Sequence, residues 1–174
     1  MKESDVKSGK WIPPLILVAA MALGQQPVPV QPATLVVKTI GGRTLTLAAQ
    51  DLSKLPQIKL NAVDHDGKNH EYAGVKLRDV LTQAGVATGN DLRGKEMTDY
   101  VIVEASDGYR VVFSLAELDS DFGNLQVIVA DTVAGHPLGA KEGPLRLVVP
   151  GDKRQARWVR MVTTVSVTRA QGTV

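Results

Sequence analysis

The chain contains no cysteine. That one absence excludes disulfides, thiolate zinc sites, iron–sulfur clusters, cysteine nucleophiles and a lipid anchor on an amino-terminal cysteine. Aromatic residues are scarce, with two Trp, three Tyr and two Phe in 174 residues, which is too few for a platform on which bases could stack. An excess of one charge sign is missing too: 20 Lys plus Arg face 18 Asp plus Glu. Without clustered cations a nucleic-acid footprint gets no support, so no nucleic-acid partner is expected. Nor is there a comfortable membrane span. The apolar run Trp11–Gly24 falls short of about 20 residues and carries Pro13 and Pro14 near its start. A nucleophile elbow is also absent around Ser106 and Ser114, and the three histidines show no partner arrangement; a serine hydrolase is not expected.

What is present divides the chain into three parts. Lys2, Lys7 and Lys10 precede the uncharged run, which ends in small residues at Ala22-Leu23-Gly24. This is the layout of a signal peptide over residues 1–24, cleaved before Gln25, with an uncleaved anchor as the alternative and the only expected membrane attachment. Either way the domain is expected outside the cytoplasm, periplasmic or secreted. Residues 25–33, QQPVPVQPA, read as a proline-rich extended tether. Residues 34–174 suffice for one globular core, and a single domain is expected there.

Within that domain, strand patterns outnumber helical ones. Thr34–Ile40 and Arg43–Leu47 are apolar runs separated by Gly41-Gly42, a hairpin signal. Ala48–Leu55 suggests a short helix ended by Pro56, and Ile58–Val63 alternates like a half-buried strand. Asp64–His70 reads as a turn. In KLRDVLTQAGV, Leu77, Val80, Leu81 and Ala84 fall at helical spacing and Gly85 supplies a stop. Ser106-Asp107-Gly108 joins two strands, Tyr100–Ala105 and Tyr109–Phe113. Ser114-Leu115-Ala116-Glu117 is a capping box that opens a short helix. Val127–Ala130, Leu145–Val149 and Val159–Val167 are further strands. The irregular alternation predicts an α+β fold, a mixed β-sheet with a few short helices.

Three stretches carry a resemblance: YAGVKLRDVLTQAGV (Tyr72–Val86), VEASDGYRVVFSLAEL (Val103–Leu118) and PLGAKEGPLRLVVPGDKRQARWVRMV (Pro137–Val162). Together they resemble the molybdopterin-binding domain of the sulfite-oxidase family, in particular its small stand-alone exported members. The resemblance implies that fold. For catalytic members it also implies a loop cysteine, following a strand, that ligates molybdenum, and basic residues that hold the cofactor's phosphate. The strand here is Ile58–Val63, so the cysteine position falls near Asp64 or His65; cysteine-ligated molybdenum is therefore not expected, and Asp64 is the candidate oxygen ligand. Arg154 and Arg157, before Trp158, match the family's basic positions.

Candidate sites follow from the residues and the resemblance together. Lys153, Arg154 and Arg157 offer donors for an anion such as molybdopterin or another anionic ligand; the plain alternative is a solvated loop. Tyr109 is a candidate for the same face, with cross-strand packing as its alternative. Asp64, His65, Asp66 and His70 gather possible metal ligands, but their spacing fits no known calcium or zinc motif, and an ordinary turn is preferred. The leading expectation is an exported, non-catalytic ligand-binding or interaction domain, with a small anionic ligand or an exported protein as partner. Two alternatives stand beside it: a molybdenum-pterin oxidoreductase using a non-cysteine ligand, and an accessory subunit of an exported redox complex.

Overall fold

The structure, a computed structural model, describes residues 32–172. The expected signal peptide and most of the proline-rich tether lie outside the described residues. Among the described residues, ten strands form two five-stranded sheets, and three short α-helices connect them. The α+β expectation holds.

The first sheet contains β1 (Thr34–Lys38), β2 (Thr44–Ala48), β5 (Asp99–Ala105), β6 (Arg110–Ser114) and β10 (Val162–Arg169). Their spatial order is β2-β1-β10-β5-β6, so the two ends of the domain meet in its middle, where β1 lies parallel to β10. Both hairpins form where glycine permits them. Gly42 and Gly108 hold φ of +78° and +85°, the left-handed region that L side chains avoid.

The second sheet contains β3 (Gln57–Val63), β4 (Asn69–Lys76), β7 (Ile128–Val133), β8 (His136–Pro137) and β9 (Arg146–Val148). It runs β3-β4-β7, with β8 and β9 both pairing to β7. The strand expected over Tyr72–Val75 begins earlier, at Asn69, because Asn69 and His70 pair with Val63 and Ala62. Only Asp64–Lys68 turns. Gly74 sits at a register shift between β4 and β7, where a side chain would press on the backbone of Val129 and Ala130.

Of the helices, α1 spans Ala49–Leu52, α2 spans Leu77–Gln83 and α3 spans Leu115–Leu118. The α2 face predicted from spacing is core: Leu77, Val80 and Leu81 are buried. Gly85, with φ of +81°, ends it. At α3 the capping box forms as expected: the Glu117 amide donates to Ser114 Oγ at 3.1 Å and the Ser114 amide to Glu117 Oε1 at 3.0 Å. Buried residues from both sheets and from α2 and α3 form one continuous core. One excursion leaves it. The Leu147 amide donates to the Val159 carbonyl at 2.7 Å and the Val162 amide to the Leu145 carbonyl at 2.9 Å, which closes the base of the loop from Pro150 to Arg157.

Candidate functional site

Two segments converge at one end of the second sheet: the tip of β3 with its turn, and the loop after β9. Between them lies an open cleft of about 810 Å³, lined by Asn61, Val63, Asp64 and His65 on one side and by Pro150, Lys153, Arg154 and Gln155 on the other. Gln155 ties the two together, its Nε2 donating to the Val63 carbonyl at 2.6 Å. The loop is therefore held over the strand tip.

Below the cleft floor sits a buried polar cluster. Arg146 is only 1% exposed and Asp64 only 7%. The guanidinium grips the carboxylate as a fork, Nη1 to Oδ2 at 2.8 Å and Nη2 to Oδ1 at 3.0 Å. Tyr72 donates its hydroxyl to Asp64 Oδ2 at 2.5 Å, and the His65 amide donates to Oδ1 at 2.6 Å. Glu142 Oε1 accepts from Arg146 Nη1 at 3.0 Å. The rings of Tyr72 and Trp158 flank the guanidinium at 5.4 and 5.3 Å, and the Trp158 indole N–H is tied to the Val149 carbonyl. Such a pair persists in a low-dielectric interior only when the remaining lone pairs and protons find partners. Here nearly all do. Among the described residues, Arg146 Nε is the buried side-chain polar atom left without one.

The electrostatics follow from this packing. Burial pushes the Asp64 carboxyl upward, but the hydrogen bonds from Arg146, Tyr72 and His65 outweigh it and hold Asp64 well below the usual carboxylate range. The Tyr72 hydroxyl is driven above its ordinary value by burial and by donating to Asp64. Burial opposes the charge on Arg146, but the hydrogen bond to Asp64 and the electrostatics of Tyr72, Asp64 and Glu142 together outweigh it and hold the guanidinium above its ordinary value.

The sequence-derived candidates separate in space. Lys153 and Arg154 line the cleft, exposed, and form no ion pair among the described residues. Arg157 does not line it. Its Nε and Nη2 fork onto Asp152 at 2.9 and 2.7 Å, Nη1 reaches Glu117 at 3.4 Å, and the guanidinium stacks 4.5 Å over the Phe113 ring. Arg157 therefore anchors the loop to β6 and α3. Tyr109 also meets the loop from behind, its hydroxyl donating to the Ala156 carbonyl at 2.5 Å, so it too braces the loop. Asp64 lies at the cleft, at the end of the strand where the metal-ligand position was expected, but both its oxygens are committed to Arg146, Tyr72 and His65. An open oxygen ligand is not what the fold makes of it. His70 and Asp66 pair with each other across the hairpin at 3.1 Å. No set of three or more His, Asp or Glu side chains able to hold a metal ion occurs among the described residues.

Arg146, Tyr72 and Glu142 were not candidates from the sequence. A signal was there: an arginine inside the apolar run PLRLVVPG must be paired if the strand is buried, and Asp64 ends the other strand that approaches it.

Comparison with known proteins agrees with this architecture. No curated protein matches the chain significantly. Among solved structures, the crystal structure of the sulfane dehydrogenase SoxCD from Paracoccus pantotrophus superimposes with a TM-score of 0.60 at 21% identity. The match covers 77% of this chain and 37% of that one, so this chain corresponds to little more than a third of its structural relative, and the likeness is one of fold. The family model for the oxidoreductase molybdopterin-binding domain matches residues 25–173. Since that match takes in both sheets, the cleft and the buried cluster, the chain belongs to the oxidoreductase molybdopterin-binding domain family.

Proposed function

We propose that this chain is a non-catalytic, exported ligand-binding domain of that family, in which the cleft between the β3 tip and the Pro150–Arg157 loop binds a small anion through Lys153 and Arg154. The observation that carries the reading is the closed state of Asp64. Molybdopterin is the cofactor the family implies, and its two halves meet different surroundings here. For the metal the donor set does not fit: there is no thiolate, and the carboxylate at the expected position is engaged on both oxygens by a buried arginine. For the anionic half the donors do fit. Two cations face the cleft, and the acids beside them, Asp64 and Asp152, are neutralised by Arg146 and Arg157.

Export rests on the sequence of residues 1–24, and the family match begins at Gln25, the first residue of the expected mature chain. No described helix is long and apolar enough to cross a membrane. The family match also favours a second reading, in which the domain retains a molybdenum pterin that the protein does not ligate through its metal. One experiment separates the two. Full-length protein expressed in a molybdenum-replete host is expected to leave purification without stoichiometric molybdenum, yet to bind pyrophosphate in a manner lost in Lys153→Ala/Arg154→Ala. Stoichiometric molybdenum with a pterin chromophore would replace the first reading by the second. The same preparation's intact mass, expected to begin at Gln25, tests export.

A further inference from the structure

We propose that the outer edge of β3 is a docking edge for an extended acidic segment of a partner protein, which adds to the second sheet as one more strand with its carboxylates against Lys153 and Arg154. The proposal rests on the anion-binding reading of the cleft and names what carries the anion.

The backbone supplies the first argument. β3 is a sheet edge, paired on one side with β4 in an unbroken register from Gln57–Val75 to Val63–Asn69. The Asp64 amide faces inward, donating to the Lys68 carbonyl at 2.9 Å. Main-chain groups alternate in an antiparallel pair, so Val63, Asn61, Lys59 and Gln57 turn their N–H and C=O groups to the open side. One of those groups already has a partner there. Gln155 Nε2 donates to the Val63 carbonyl from the position where the amide of a neighbouring strand would stand.

Sheet edges are usually blunted by proline, bulges, shortness or charge. The other edges among the described residues are short: β2 and β6 have five residues each, β9 has three and β8 has two. β3 has seven, with no proline inside, no shift in its register with β4, and a single charge, Lys59, which Glu71 pairs at 2.9 Å. Val63, at the cleft end, is 59% exposed. Charge then selects the occupant. Since Asp64 and Asp152 are paired internally, a strand laid along β3 meets Lys153 and Arg154, which form no ion pair among the described residues, and an acidic segment is complementary where a basic one would be repelled.

The test uses the full-length chain, a fluorescein-labelled octapeptide of alternating threonine and glutamate, and the same peptide N-methylated at alternate amides. The plain peptide is expected to bind, and N-methylation, which removes ladder donors and keeps the charge, is expected to weaken it by about tenfold or more. Asn61→Pro removes an outward N–H, a change edge strands tolerate, and is expected to weaken peptide binding by a similar factor. Equal binding of both peptides would overturn the docking edge while the anion reading stood, and so would pyrophosphate binding without peptide binding. Failure of both ligands would overturn both readings. Concentration-dependent dimerisation abolished by Asn61→Pro would give the edge to a second copy of the chain and overturn the acidic partner. If Asn61→Pro fails to fold, the comparison of the two peptides decides.

Discussion

Arg146 and Asp64, 82 residues apart in sequence, form a two-pronged buried ion pair that joins β9 to the tip of β3. Removing one member strands the other's charge in the interior. Asp64→Ala is therefore expected to destabilise the domain by about 3–5 kcal/mol, whereas replacing both members with apolar residues of similar volume, as in Asp64→Leu/Arg146→Met, should cost far less than the two single changes combined. Urea unfolding of the wild type, Asp64→Leu, Arg146→Met and the double variant measures the coupling. Additive single and double mutants would show that the pair contributes nothing as a pair.

The same pair sets an acid limit. A carboxyl whose folded pKa is depressed contributes stability that is fully present above its unfolded value, 3.8 for Asp64, and that is lost as the pH falls towards the folded value, because the unfolded chain takes up the proton first. Below about pH 4 the wild type should therefore lose stability more steeply than Asp64→Asn. Exposed carboxylates such as Asp51 and Asp66 titrate in both proteins and cancel in the comparison. Urea midpoints measured across this range check it, and parallel acid limbs would mean that Asp64 titrates normally in the folded state.

Leu81 is 1% exposed on the inner face of α2. Leu81→Ala should cost about 2–5 kcal/mol, the range for a buried leucine whose surroundings close only partly over the void. An unchanged denaturant midpoint would contradict the placement of this face in the core.

Gly74 is irreplaceable for a different reason. A Cβ built there falls 2.7 Å from Ala130 Cα, backbone that cannot yield without separating β4 from β7. Gly74→Ala is expected to abolish soluble folded protein or to lower its melting temperature sharply, as followed by circular dichroism. A mild effect would show that the register shift at this position can relax.

How much of this was legible in the sequence depends on how far each interaction reaches along the chain. The Ser114–Glu117 capping box, the glycine turns and the α2 face are written within a few residues, and local periodicity is enough to read them. The start of β4 was not, because Asn69 and His70 look like turn residues until their pairing with Val63 and Ala62 is seen. The site split in the same way. Lys153 and Arg154 line the cleft, since the loop they sit on leaves the core after Pro150. Arg157 lies three residues further along the same loop, but Asp152, Glu117 and Phe113 capture it, and Glu117 is 40 positions away. The Arg146–Asp64 pair is the extreme case: each residue is visible alone, and only the fold brings them together.

That contrast between neighbours on one loop yields a final prediction. Lys153 and Arg154 are exposed and unpaired among the described residues, so Lys153→Ala/Arg154→Ala should abolish anion binding and leave the melting curve unchanged, since solvated side chains contribute little to stability. Arg157 makes a fork to Asp152 and stacks on Phe113. Arg157→Ala should instead cost stability, about 1–3 kcal/mol for hydrogen bonds to a charged partner, and should weaken anion binding only as far as the loosened loop lets Lys153 and Arg154 wander. Arg157→Lys separates these effects further: it keeps the charge but loses the planar fork, and is expected to recover little of the lost stability. Calorimetric titration with pyrophosphate, run beside thermal melts on all three variants, reads both quantities. If Arg157→Ala removed binding at full stability, Arg157 would be a ligand-facing residue, and the division of labour between the cleft side and the back of the loop would be wrong.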